Sequence, residues 1–252
     1  GSSASGGGMN FDAGVTVTNS TSGGINITSS SSNSAQTAVG LRGVAITNTG
    51  GNLSISATNG NIFSDAGNPV WGGVQTNTIT NNGTGFVSIS TGNGSATNTG
   101  AVDGSVLTIT QNGSAGVVVS SSGSGNVTSP KIINAGTGDI VVAAGTAIAA
   151  GTGTGGQVLT MLGNTLTQTN TTPGKIYVYS GAAASTGVLN KLNTSFNSLF
   201  YQGTSQALNT GFNTAFDSNH ADDLVAPSGG SLGSAQVFFR SSTKQIEERR
   251  VG

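Results

Sequence analysis

Runs of about five residues rich in Val, Ile and Leu recur from residue 24 to residue 181, each bracketed by Gly, Asn, Ser or Thr. They read "GINITS" (24–29), "GNLSISA" (51–57), "GFVSIS" (85–90), "SVLTIT" (105–110), "GVVVSS" (116–121), "DIVVAAG" (139–145), "QVLTML" (157–162) and "KIYVYSG" (175–181). β-Branched residues fit a pleated surface, and Asn59-Gly60, Asn82-Gly83, Asn93-Gly94 and Asn112-Gly113 are turn formers, so short strands are expected throughout residues 12–181. A sandwich, a barrel or a parallel β-solenoid could hold them. Aromatics are only 5% of the chain, too few for the thick core of a sandwich or barrel. A narrow solenoid lumen takes small stackable side chains, repeated every ~4.8 Å along its axis. The pattern Gly-x-apolar-x-apolar returns at intervals of roughly 20 to 35 residues, the size of one coil. The expected fold class is therefore all-β, a parallel β-helix or solenoid, with Gly and Asn turning the corners and Ser and Thr facing water.

Composition excludes several functions. Charged residues make up 7% of the 252, against about 25% in an ordinary domain. The formal net charge is −1 and basic residues are scattered, which leaves no electrostatic footprint for nucleic acid or an anionic membrane surface. Cysteine is absent, so disulfides and thiolate metal sites are excluded. No apolar run is long enough to cross a bilayer as a helix, so membrane insertion is not expected. The opening "GSSASGGGMN" has neither a basic start nor an apolar stretch; residues 1–11 read as a linker or as the cut end of something longer.

Near residue 185 the period changes. In "STGVLNKLNTSFNSLFYQG", Val188, Leu189, Leu192, Phe196, Leu199 and Phe200 fall at helical spacing, with Ser185 or Thr186 to start a helix and Gly203 to end it. A shorter echo follows with Leu208, Phe212, Ala215 and Phe216, weakened by Gly211. Residues 182–240 thus read as capping helices plus a final strand, "SAQVFFRSS" (234–242), and residues 241–252 as a charged tail or linker. Leu192, Phe196, Phe200, Phe212 and Phe216 are expected to pack across the flank or open end of the solenoid, or to form an assembly face.

Catalytic constellations are thin. His220, the one histidine, lies in "DSNHADD" beside Asp217, Asp222 and Asp223, but this run lacks the ligand order of a calcium loop and has no second histidine for zinc. A solvated loop is expected, with no metal and no cofactor. Asp12, Asp65, Asp103 and Asp139 are spread singly, whereas β-helical lyases need grouped carboxylates or basic residues. "GTGTGGQ" is followed by no Lys-Ser/Thr pair and reads as a turn, not a phosphate loop. Trp71, in "NPVWGG", covers a lumen edge or, if exposed, contacts a sugar or partner. Flat Thr ladders can bind ice, but the triplets 16–18, 108–110 and 165–167 lack regular spacing in the sequence. A non-enzymatic role is expected.

The stacked style of "GNLSISATNGNI", with "GTGTGGQVLT…NTTPGKIYVYSGAAASTGVLNKL" and "AQVFFR", resembles the filamentous-haemagglutinin-like exoproteins of two-partner secretion systems. The likeness covers most of residues 24–240. It implies a right-handed β-helix on the bacterial outer surface or secreted, with roles in adhesion, biofilm or filament formation, and it supplies no catalytic residues. Expected partners are further copies of the chain stacked head to tail, other surface-fibre subunits, or host and matrix glycans or receptors.

Overall fold

The computed structural model describes residues 2–3, 8–12, 14–32, 36–65, 76–92, 102–103, 106–152, 156–159, 164–171, 174–181, 209–212, 216 and 235–240. Three sheets, parallel throughout, enclose one apolar lumen. The long sheet stacks β1 (Ser2–Ser3), β4 (Ile25–Ser31), β7 (Leu53–Ala57), β10 (Val87–Thr91), β13 (Val117–Ser121), β16 (Ile140–Ala144) and β19 (Ile176–Ser180), then β21 (Ala235–Phe239) and β20 (Asn209–Phe212). A second sheet stacks β2 (Met9–Phe11), β5 (Thr37–Arg42), β8 (Asn61–Asp65), β11 (Val102–Asp103), β14 (Val127–Thr128) and β17 (Val158–Leu159). The third stacks β3 (Thr16–Asn19), β6 (Ala45–Asn48), β9 (Asn77–Asn81), β12 (Leu107–Gln111), β15 (Lys131–Asn134) and β18 (Leu166–Gln168). Up to β19 the chain visits the three sheets in strict rotation, so each coil lays one strand on each face. This is a parallel β-solenoid, and it contains no helix among the described residues.

Alternation of side chains sets what each strand buries. In β7, β9, β10, β12 and β13 the first, third and fifth residues are buried and the two between are half-buried. Parallel register stacks like on like: Ile27, Ile55, Ile89, Val119, Val142, Val178 and Val237 form one file of the lumen. Val17, Ile46, Ile79, Ile109, Ile132 and Leu166 form another. Each rung meets an equivalent side chain above and below, so the narrow interior fills with aliphatic groups and needs no large aromatic.

Coil length varies although rung height does not. Residues stacked across adjacent rungs are 28 apart at Thr28 and Ser56, 33 at Asn48 and Asn81, 30 at Asn82 and Asn112, 23 at Ser114 and Thr137, and 36 at Asp139 and Lys175. The extra residues leave at corners, and the strands return to register.

The corner from third sheet to long sheet is held by buried amides. The strand-ending file Asn19, Asn48, Asn81, Gln111, Asn134, Gln168 points inward. Asn19 Nδ2 donates to Asn48 Oδ1 at 2.7 Å, and Asn48 Nδ2 to Asn81 Oδ1 at 2.8 Å. The same amides donate to the corner carbonyls of Gly23, Gly51, Gly85 and Gly138, and the oxygens of Asn48, Asn81 and Asn134 accept from the amides of Gly50, Gly83 and Gly136. A buried polar group is tolerated when bonded in this way. The glycines here are required by proximity rather than by a positive φ: a Cβ on Gly83 would overlap the carbonyl oxygen of Gly50, and one on Gly113 that of Gly83.

Both ends of the ladder add detail to the sequence reading. The ladder also includes β1 and β2, within the residues read as a linker, while β21 falls within the final strand expected at 234–242 and joins the long sheet beside β19. The helical echo around Leu208 and Phe212 is replaced, at Asn209–Phe212, by strand β20, which pairs with β21. Asn and Gly are poor helix formers, and an open sheet edge supplies the backbone partners that a weak helix would have to make alone. The rest of the expected capping region, including Leu192, Phe196 and Phe200, lies outside the described residues.

Candidate binding surfaces

The two largest outer faces differ in chemistry. On the long sheet, the outward positions of β4, β7 and β10 are Asn26 and Thr28, Ser54 and Ser56, Ser88 and Ser90. Thr28 Oγ1 lies 3.1 Å from Ser56 Oγ and 3.1 Å from Asn26 Oδ1, so hydroxyls here bond one another. From β13 to β21 the same positions become mostly apolar, with Ser120 on β13 and Gln236 on β21 the polar exceptions. Val118, Val141 and Tyr177 follow in one file and Ala143, Tyr179 and Phe238 in the other. Tyr179 stacks on Phe238 at 4.8 Å between ring centroids, and half-buried Phe216 meets Tyr179 edge-on at 5.2 Å. Val141, Tyr177, Tyr179 and Phe238 are buried, so this apolar end of the face is covered rather than free. Phe216 therefore packs against the covered end of this face.

Arg240 follows β21 and is 1% exposed. Its guanidinium donates to the carbonyl of Ala144 through Nη1 and to that of Gly156 through Nη2 at 3.0 Å, while its own carbonyl accepts from Gly151 N at 2.7 Å. Burial pulls its pKa down from the ordinary arginine value to about 10, which leaves it charged at neutral pH. Gly145, at φ +69°, passes directly beneath the guanidinium, where any Cβ would collide with it. Arg240 thus ties the end of β16 to the corner before β17, sharing the Gly156 carbonyl with Gly181 N, which donates to it at 3.1 Å.

A groove of about 390 Å3 lies on the long face and is lined by Gly24, Ile25, Asn26, Asn52, Ser54 and Phe86. Phe86 is 43% exposed at a corner where the neighbouring rungs carry Asn52 and Gly116. Asn52 Oδ1 accepts from Phe86 N at 3.1 Å, which fixes the aromatic at the groove edge. The signal for it in the sequence was a Phe ahead of a strand with alternating burial, one residue before Val87.

The third sheet presents Thr. Outward on β3 are Thr16 and Thr18, on β6 Ala45 and Thr47, on β9 Thr78 and Thr80, and on β12 Thr108 and Thr110. Lys131 and Ile133 follow on β15, and Thr167 on β18. The sequence spacing of these triplets is irregular because coil length is irregular; their register in the sheet is unbroken.

The single carboxylates are structural where they are described. Asp139 Oδ1 accepts from Lys175 N at 2.8 Å, and Asp12 lies 4.0 Å from Arg42 with both side chains solvated. Among the described residues no group of three His, Cys, Asp or Glu could hold a metal ion. The last two residues of "GTGTGGQ", Gly156 and Gln157, lead into strand β17, with Gly156 N bonded to Ser124 O at 2.9 Å. Trp71, His220, Asp217, Asp222 and Asp223 lie outside the described residues. Comparison with protein-family models, with curated proteins and with solved structures finds no match.

Proposed function

We propose that this chain is a non-enzymatic structural or adhesive module of a bacterial cell-surface or secreted protein, of the filamentous-haemagglutinin-like, two-partner-secreted kind, that works by stacking coils end to end. The carrying observation is the edge of the rod. Among the described residues β2 and β3 are the outermost strands of their sheets, so each has one unpaired side. Met9, Phe11, Val17 and Ile25 at that end are only partly buried against the lumen. An edge that exposes both backbone groups and lumen is completed by another coil, either of the same polypeptide or of a second copy. Negative-stain microscopy with sedimentation velocity over a concentration series tests this. Rods that lengthen with concentration are expected, and compact particles of constant sedimentation coefficient at high concentration would reject self-association.

The exposed Phe86 favours a second reading, in which the long face contacts a glycan or receptor. An aromatic ring beside Asn26, Asn52 and Ser54 offers a neutral sugar both an apolar face and hydrogen bonds. Binding on a glycan array that survives Phe86→Ala would remove this anchor.

A further inference from the structure

We propose that the Thr face of the third sheet binds ice. This goes beyond the scaffold reading and does not depend on it. Across β3, β6, β9 and β12, seven of eight outward positions are Thr: Thr16, Thr18, Thr47, Thr78, Thr80, Thr108 and Thr110, with Ala45 the exception. They stand in two files on a parallel sheet, about 4.8 Å apart along each file and roughly 6.6 Å across, which are the strand spacing and two residues of rise. Such a regular two-dimensional array of hydroxyls and methyls offers a repeating set of contacts to an ordered, crystalline surface of water.

Three observations separate this face from an ordinary solvated sheet. Strand propensity favours Thr at any outward position, yet the long sheet of the same rod uses Ser54, Ser56, Ser88 and Ser90 at the corresponding places. Propensity therefore does not explain why one face carries Thr at seven of eight outward positions. Secondly, the one outward Thr on β4, β7 and β10 of the long face, Thr28, bonds Ser56 and Asn26, whereas no protein partner for the seven Thr hydroxyls of the third sheet is found among the described residues. Their bonding capacity goes to water. Thirdly, the four rungs carry no outward charge, and the first to appear is Lys131 on β15. A neutral face matches a neutral lattice, while a charge would hold water in a shell that ice excludes. β-Branching restricts the Thr χ1 angle, so methyls and hydroxyls hold a fixed alternation and the waters they bind are ordered before ice arrives, which reduces the entropy lost on docking.

The test is freezing-point hysteresis and ice-recrystallisation inhibition by the whole chain, compared with two double variants. T80K/T110K places charges on the Thr face, and S56K/S90K places the same charges on the long face. Activity is expected in the unmodified chain, retained in S56K/S90K and lost in T80K/T110K. Should T80K/T110K fail to fold by circular dichroism, T80S/T110S removes only the two methyls and is expected to weaken activity. Absence of hysteresis, recrystallisation inhibition and incorporation into growing ice at the highest soluble concentration overturns the proposal. Equal loss in both lysine variants also overturns it. So does co-sedimentation with crystalline cellulose in the absence of any ice activity, which would assign the face to a polysaccharide surface.

Discussion

At the residue scale the rod depends on groups that solvent does not see. Asn81 accepts from Asn48 and from the amide of Gly83 and donates to the carbonyl of Gly85. Asn81→Ala is expected to lower stability by about 3 kcal/mol, because the carbonyl and amides left behind are buried. Gln111 fills the next position of the file with one methylene too many: its Nε2 reaches Gly85 O, but its Oε1 is buried with no partner. Gln111→Asn should therefore raise stability by about 1 kcal/mol, read as a higher denaturant midpoint at unchanged slope. Arg240→Ala should cost about 2–4 kcal/mol by leaving the Ala144 and Gly156 carbonyls without its charged donors. Arg240→Lys should restore little, since an ammonium lacks the planar fork that spans both oxygens; thermal melts of the two variants check this pair. Part of this was legible. "TNTG" (47–50), "TNNG" (80–83), "TQNG" (110–113) and "INAG" (133–136) repeat an amide two residues before Gly or an equivalent. Attention to the Asn-Gly pairs as turns hid the residue one place earlier that holds the corner.

At the scale of elements, the strands that announce themselves are those of the long sheet. "LSISA" and "VSIST" bury three positions each and alternate cleanly, so a period of two is visible in five residues. The second sheet offers Val102–Asp103 and Val127–Thr128, two residues each, too short for any periodicity to register, whereas Val158–Leu159 stands out only within the longer run "QVLTML". The third sheet was partly hidden for another reason. β9 reads "NTITN", with a single apolar residue, and its inward Asn77 and Asn81 look like loop residues until the amide file is seen. Stability in such a stack is a sum over neighbouring rungs. Val87 stacks on Val117 and on Leu53; removing residues 87–116 takes out one full coil and places Val117 over Leu53. The shortened chain is expected to fold with the same strand signature in circular dichroism. Removing only residues 87–101 should instead shift the register and yield aggregates on size exclusion.

At the scale of the whole molecule, backbone pairing and aliphatic stacking carry the fold, and charge contributes little. The ion pair of Arg42 with Asp12 is 4.0 Å long and solvated, a geometry that adds little stability. Arg240, pulled down to about 10, stays protonated through neutral pH. Stability depends on pH only where the folded and unfolded states bind different numbers of protons. The melting temperature should therefore be nearly flat from about pH 5.5 to about pH 8.5, and insensitive to salt because screening has few charges to act on. Differential scanning calorimetry over that range checks it. A drop of many degrees would place a titrating group in a role that the described contacts do not give it.

Strand identity, the preference for a parallel stack and the absence of a charge-driven fold could all be read from residue order, because each rests on local pattern: alternation, β-branching and turn residues. Which residues share a face could not. Coils of 23 to 36 residues hide the rung spacing from any fixed period, and only the return of each strand to register brings Thr18, Thr47, Thr80 and Thr110 into one line. Register is settled by hydrogen bonds between strands distant in sequence, so the amide file, the Arg240 corner and the Thr array exist only once the coils are stacked.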